Sequence, residues 1–355
     1  MKIQIVYDIA PNSTRDVADG LRDALRQLGH EVCGTATHSM AVHFMRPFSK
    51  ETGGDPSKLP KEVSAILWGA INTWILGQTT LFRPDAVIVV SGWVMGRQIV
   101  EAMQRELGAK VALYCTESPY QDREQTEQPA FPAYDLVFCN ELSSMAFMQE
   151  HHDRVVYLPH SYNPEVHAPM IADAPKYDVY MCGTGFTERL SVLRGADWTG
   201  VRLKLDGFWP QHEGIAGEVK DDMVPNGTLP AIYSSVPINL NIHRTTRTWL
   251  GGSAEETHIP HAESIGPRVF EVLACGGFLI TDHRAEMDGF LRDGEHLVVY
   301  RDATDLGEKA RWYLQHTDER RRIAAAGRAA VADCTFSRRC SDIVLPALEG
   351  VITNG

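Results

Sequence analysis

Arg268 and Glu271 lie three residues apart in the stretch Gly266-Pro267-Arg268-Val269-Phe270-Glu271-Val272-Leu273-Ala274-Cys275-Gly276-Gly277. That spacing puts a cation and a carboxylate on one face of a helix. Pro267 suits the first turn, where its missing N–H costs no hydrogen bond. Val269, Phe270, Leu273 and Ala274 supply an apolar side, and Gly276 and Gly277 end the helix and open a buried strand. A helix N-terminus favours anions through its free N–H groups and its dipole. A glutamate one turn in can accept hydrogen bonds from two adjacent ribose hydroxyls while a diphosphate sits near the helix start. The pair taken alone fits equally a surface ion pair with a capping role.

Other residues have the types that such chemistry needs. Gly183-Thr184-Gly185 follows the apolar run Val179–Cys182 and precedes a helical pattern with Arg189. Glycines there let backbone N–H groups approach a phosphate, and a plain tight turn has the same signature. No complete GxGxxG or GxxxxGKS occurs, which argues against a nicotinamide dehydrogenase and a P-loop enzyme. Glu117 follows the run Val111–Cys115, where it either orients or deprotonates an acceptor hydroxyl or is an exposed loop carboxylate. His160 and His243 each follow a strand end and fit a contact to phosphate or sugar, or a packed histidine. His258 and His261 lack the Cys or carboxylate set that completes a metal site, so no metal is expected.

Positioning these residues requires strands that end beside them. Strands are expected at Lys2–Tyr7, Ala86–Val90, Val111–Cys115, Leu136–Cys139 and Val155–Leu158. A second series is expected at Val179–Cys182, Leu203–Leu205, Ile238–Ile242, Phe278–Thr281 and Leu297–Tyr300. Helical patterns alternate with them. The first, Thr14 to Leu28, has Val17, Leu21, Ala24, Leu25 and Leu28 on one face and Gly29 as its stop. Arg46 to Lys61, rich in Gly, Pro, Ser and Lys, reads as a surface loop. Strand–helix alternation implies parallel sheets covered on both faces. Two series imply two Rossmann-like domains, 1–168 and 169–336, with the break inside the proline-interrupted stretch Ser161 to Pro175. Ligands of such sheets bind beyond the carboxyl ends of the strands, and the cleft between two such domains is the expected site.

Composition narrows the partners. The 355 residues are 44% hydrophobic and 23% charged, an ordinary globular balance that allows two domains. The formal net charge of −12 disfavours bulk nucleic acid and anionic membranes. Seven cysteines, an odd number with no CxxC, fit buried free thiols in a reducing compartment. The N-terminal run is too short and too alternating for a signal peptide, and no apolar run reaches the ~20 residues that span a bilayer. A cytoplasmic protein without integral membrane insertion is the expectation.

The segment from Glu263 to Asp282 resembles the donor motif of retaining glycosyltransferases of the GT-B fold, in which two glutamates are separated by seven residues; Glu263 and Glu271 have that spacing. The likeness is closer to CgeB-like (spore-maturation-type) glycosyltransferases. It rests on Arg268-Val269-Phe270-Glu271, Ala274-Cys275-Gly276-Gly277 and Thr281-Asp282, and on Asp178 to Gly185 with Arg189. Ile238 to His243, His296 to Asp302 and Glu319 to Arg328 extend it. In the first half it is carried by Thr116-Glu117-Ser118-Pro119 and Leu158-Pro159-His160.

The resemblance implies an α/β GT-B architecture, two Rossmann-like domains facing a cleft, with residues 337–355 packing back on the N-terminal domain. That domain would take the acceptor, and the C-terminal one a nucleotide-sugar donor. Glu271 would hold the donor ribose, Glu263 would face the sugar, and Arg189 with Arg268 would neutralise the diphosphate. Gly183, Gly185, His243 and Gly276 complete the implied donor set, and Glu263, Glu117 and His160 the catalytic one. The reaction would move a hexosyl group to a hydroxyl with retention, without metal or other cofactor. The long stretch Arg244 to His261 departs from the pattern and bears on where Glu263 sits. Two alternatives stand beside this reading: an acceptor that is a hydroxymethylated base in DNA, and a non-catalytic nucleotide-sugar-binding protein.

Overall fold

The computed structural model describes residues 1–7, 13–52, 58–93, 95–173, 176–222, 224–244 and 262–353. The chain forms two units, Met1–Leu158 with Phe336–Gly355, and Pro159–Thr335.

The first unit holds β1 (Lys2–Tyr7), β2 (Glu31–Ala36), β3 (Ala86–Val90), β4 (Lys110–Cys115), β5 (Leu136–Cys139) and β6 (Val155–Tyr157) in one sheet of order β2-β1-β3-β4-β5-β6. Every neighbouring pair is parallel. Central β3, Ala-Val-Ile-Val-Val, is buried throughout, as a strand covered on both faces must be. One face packs against the Ser13–Gln27 helix through Val17, Leu21, Ala24 and Leu25, as the period predicts, and through Ala18; Leu28, expected on the same face, is exposed just past the helix end. The other face packs against the Lys61–Phe82 helix through Leu67, Ile71 and Ile75.

The C-terminal segment belongs to the first of these two cores. Phe336, Cys340, Val344, Leu348 and Val351 recur at three- and four-residue spacing and lie with Leu21 and Leu25. Gly20 makes this possible: a Cβ there would sit 2.3 Å from the Phe336 ring. Burying one such phenyl ring contributes roughly 2–3 kcal/mol. Pro346 cannot donate to residue 342. The chain accommodates it with a π-type turn at Cys340–Val344, just before the final helix Leu345–Thr353.

The second unit holds β7 (Val179–Thr184), β8 (Leu203–Phe208), β9 (Glu218–Asp221), β10 (Ile238–Asn241), β11 (Leu279–Asp282) and β12 (Val298–Tyr300), ordered β12-β11-β10-β7-β8-β9 and parallel throughout. Strand order reverses between β7 and β10, so this is the position where open α/β sheets carry ligands. At Gly207, φ is +119°, and a Cβ would lie 2.1 Å from the Gly183 carbonyl oxygen; only glycine lets β8 run this close to β7.

Several particulars differ from the sequence reading. The break falls after Leu158, not after residue 168. Residues 159–168 are tied into the second unit, with the Tyr162 N–H on Cys334 O at 3.1 Å. Edge strands β2 and β9 were not expected; their Glu, Gly, Lys and Asp residues blur any apolar alternation. The expected loop from Arg46 contains a 3-10 turn, Arg46–Phe48, and a short helix, Ser49–Thr52. All seven cysteines are free thiols, five of them buried.

Candidate functional site

Two guanidinium groups converge over the end of β7. A Cβ built on Gly183 would lie 3.2 Å from Arg189 Nη1 and 3.4 Å from Arg268 Nη2. The glycine therefore leaves open the position that a side chain would fill. Arg189 comes from the Thr187–Gly195 helix and is buried; its Nε donates to Ile242 O at 2.7 Å and its Nη1 to Thr184 O at 3.0 Å. Arg268 stands in the first turn of the Pro267–Ala274 helix, and its Nη1 donates to Asn241 Oδ1 at 3.1 Å. Asn241 is fixed in turn by donating to Thr281 Oγ1 at 3.0 Å. Burial opposes the Arg268 charge, yet Tyr233, Cys182 and Glu271 outweigh it and hold the pKa above the ordinary value. A third cation stands nearby: Phe186 has the Arg244 guanidinium 4.6 Å and the Arg189 guanidinium 5.1 Å from its ring centre.

Glu271 lies one turn along from Arg268. Its side chain is 15% exposed, and His167 Nε2 lies 3.9 Å from its Oε1. That distance is too long for a hydrogen bond, and both ring nitrogens of buried His167 lack partners among the described residues. A largely buried carboxylate in this state has acceptor capacity to offer a ligand.

The helix N-terminus is held by a histidine. Gly266, its N-cap residue, donates its N–H to His243 Nε2 at 3.1 Å. His243 Nδ1 lies 2.9 Å from Asp282 Oδ1, and the His243 backbone N–H donates to the same oxygen at 2.8 Å. The proton therefore sits on Nδ1 and the ring is neutral. Burial pulls the His243 pKa below its ordinary value against the raising effect of Asp282. For Asp282, burial is outweighed by His243 and Arg284, and the pKa falls to about 2. With both nitrogens engaged internally, His243 acts on the site through Gly266.

The remaining expected residues are spread more widely. His160, half-buried, has its pKa brought to about 4 by burial and by neighbouring His243. Glu263 is half-buried in the turn before the helix, its carbonyl accepting the Glu286 N–H at 3.0 Å. Gly185 packs on Trp209, where a Cβ would come within 2.9 Å of the ring. Gly276, with φ +73°, is the turn residue after the helix, about 12 Å of helix away from Gly266. Glu117 belongs to the first unit, half-buried after β4 beside Thr116, whose hydroxyl is 2.7 Å from that of Ser91. His258 and His261 lie outside the described residues. Sequence reasoning missed Asn241, Arg244, Arg284 and the Asp282–His243 pair. The position of Arg244 directly after His243 was its one visible signal.

Residues 168–344 match the family model described as glycosyl transferase-like. The spore protein CgeB of Bacillus subtilis (strain 168) is 22% identical over 264 residues, 69% of this chain and 77% of that protein. Among solved structures, the sucrose-phosphate synthase of Thermosynechococcus elongatus superposes with a TM-score of 0.64 at 12% identity, covering 98% of this chain and 99% of that one. The UDP-forming alpha,alpha-trehalose-phosphate synthase of Burkholderia xenovorans gives 0.64 at 13% identity, over 99% of each chain. An E. coli trehalose-6-phosphate structure bound with UDP-2-fluoro glucose gives 0.63 at 8% identity, over 98% of this chain and 99% of that one. No helix among the described residues is long and apolar enough to cross a membrane. Through residues 168–344 the chain belongs to the glycosyl transferase-like family, and its two six-stranded parallel sheets have the GT-B fold of glycosyltransferases.

Proposed function

We propose that the second unit binds a nucleoside-diphosphate sugar and that the protein transfers the hexosyl group to a hydroxyl with retention and without a metal ion. The observation that carries this reading is the convergence of Arg189 and Arg268 over Gly183, where the sheet order reverses. Cleaving the anomeric bond leaves negative charge on the diphosphate and positive character on the sugar. Fixed guanidinium groups and the adjoining helix N-terminus stabilise that leaving group, the task that a divalent cation performs in other transferases. Glu271 accepts from the ribose hydroxyls, and Glu263 faces the sugar.

His160, neutral at pH 7 because its pKa lies near 4, hydrogen-bonds a sugar hydroxyl and carries no charge into the reaction. Asp282 and His243 set the helix N-terminus by holding Gly266. Glu117 orients the acceptor hydroxyl. No protein nucleophile is assigned.

Titration calorimetry with UDP, GDP, ADP and dTDP tests the reading. Because a charge-assisted hydrogen bond contributes roughly 1.5–3 kcal/mol, Arg268→Gln should weaken the preferred nucleotide roughly 10- to 150-fold. A wild-type protein that binds none of the four, or a variant that binds as tightly as wild type, would count against it. UDP is the first ligand to try, since the Burkholderia xenovorans protein is UDP-forming and the E. coli structure contains a UDP sugar.

A further inference from the structure

The residues that end and follow β11 grip the turn that carries Glu263, one beside the next. Asp282 holds His243, whose Nε2 accepts the Gly266 N–H. Glu286 accepts the Ile265 N–H on Oε2 at 2.5 Å and donates its own N–H to Glu263 O at 3.0 Å. Between them stands Arg284, 6% exposed. Its Nη1 donates to Ala262 O at 2.5 Å, its Nη2 to Arg244 O at 2.6 Å, and its Nε lies 3.8 Å from Asp282 Oδ2. Arg244 and Ala262 are 18 positions apart in sequence (262 − 244), yet one planar group holds both carbonyls.

A buried guanidinium is costly unless its donors are used; here both terminal nitrogens serve carbonyls, while Nε makes no hydrogen bond among the described residues and faces the Asp282 carboxylate only as an ion pair. In return it fixes a distance. The chain leaves the β10 end at Arg244 and returns at Ala262 to the same side chain, whatever the residues between them do. Glu263 follows immediately, so its backbone position is set from one side by Arg284 and from the other by Glu286.

We infer that Arg284 is a positioning residue for transfer: it closes the chain between Arg244 and Ala262 and thereby sets Glu263 toward the donor. The inference rests on the function proposed above. A lysine keeps the charge, but its single ammonium lacks the planar fork that spans two carbonyls. The role therefore belongs to geometry rather than to charge, and it acts on turnover rather than on nucleotide affinity, which Arg189, Arg268 and Glu271 supply.

The test uses the full chain with Arg284→Lys and Arg284→Ala, read in three ways. Residue-resolved hydrogen exchange without ligand should rise at least tenfold at Ile265 and Gly266 in both variants, with β7 and β8 amides unchanged. The Kd for the preferred diphosphate among UDP, GDP, ADP and dTDP should stay within threefold of wild type. The kcat for releasing that diphosphate from its hexose conjugate should fall at least 20-fold, and methylguanidinium should restore part of it to Arg284→Ala but none to Arg268→Gln. Unchanged exchange at Ile265 and Gly266 in Arg284→Ala overturns the inference, as does an undiminished kcat. A loss of Kd equal to the loss of kcat overturns it too, since Arg284 would then serve binding. Wild-type protein that binds none of the four diphosphates would sink the transfer reading, and the role of Arg284 in transfer with it; the exchange data alone then decide whether the turn is clamped.

Discussion

The two units share a plan and differ in where their arginines gather. Each is a six-stranded parallel sheet whose strand order reverses once, between β1 and β3 in the first and between β7 and β10 in the second. In the first unit the residues directly after β2, β3, β4 and β5 are Thr37, Ser91, Thr116 and Asn140, all uncharged. Two neutral contacts join them: the Ser91–Thr116 hydroxyl pair and the Asn140 amide on Thr116 O. In the second unit Arg189, Arg244, Arg268, Arg284 and the Asp282–His243 pair gather around the ends of β7, β10 and β11, partly from the helices that follow. One topology thus carries different side chains near its strand ends, with the arginines gathered in the second unit's set. Which unit takes the diphosphate is a matter of side chains that the shared fold leaves open.

The sharpest contrast comes from removing arginines. Arg189→Gln with Arg268→Gln should lower nucleoside-diphosphate affinity by more than about 100-fold, two charge-assisted contacts at roughly 1.5 kcal/mol or more each. Arg97→Gln in the first unit should leave it unchanged, because Arg97 pairs with Glu101 on an exposed helix face. Calorimetry on the three proteins decides. Comparable losses from both units would remove the distinction.

Acid should separate the units next. A histidine whose folded pKa lies below its unfolded value is neutral when folded and gains a proton on unfolding. Its contribution is fully present above 6.5 and is lost as the pH falls toward the folded value. For His160, shifted from 6.5 to about 4, this is about 3 kcal/mol between pH 7 and pH 4. His243 adds in the same direction. Asp282, shifted from 3.8 to about 2, contributes stability that is present above 3.8 and lost below it. In the first unit, half-buried His30 is also lowered. The opening free energy from hydrogen exchange, corrected for the intrinsic pH dependence of amide exchange, should therefore fall more at β10 and β11 than at β3 and β4 on going from pH 7 to pH 4. An equal fall would refute the assignment.

The third contrast runs the other way. Gly20→Ala drives a methyl into the Phe336 ring and should destabilise the first unit by about 2 kcal/mol, within the range for overpacking, while diphosphate affinity holds. Denaturant titration with calorimetry on the same variant checks both halves of the statement. Smallest is Arg97→Ala, an exposed ion pair whose loss should cost about 0.5 kcal/mol or less by denaturant titration. A larger loss would mean that the surface of the first unit is more strongly coupled than its geometry implies.

What could be read from sequence follows the reach of each interaction. β3 and the Ser13–Gln27 helix are legible because burial on two faces, or on one stripe, writes itself into neighbouring residues. The Lys61–Phe82 helix was not read: Val63, Ile66, Trp68, Trp74, Leu76 and Leu81 join its buried Leu67, Ile71 and Ile75 on nearly every side and erase the period. β2 and β9 are edges, where charged and glycine residues are tolerated. In the site, Arg268 and Glu271 stand out because one helix turn joins them. Arg284 bonds Arg244, 40 residues back in the chain, and His243 bonds Asp282, 39 residues on. No local pattern records either. That His243 uses both ring nitrogens inside the protein was invisible for the same reason.

The central claim is that the charged strand ends of the second unit receive the diphosphate. A structure of the protein with its preferred nucleoside diphosphate tests this most directly. The account predicts phosphate oxygens within about 3 Å of Arg189 and Arg268 above Gly183, with the ribose hydroxyls on Glu271. A diphosphate seated at the β1 and β3 ends of the first unit, with Arg268 untouched, would contradict it.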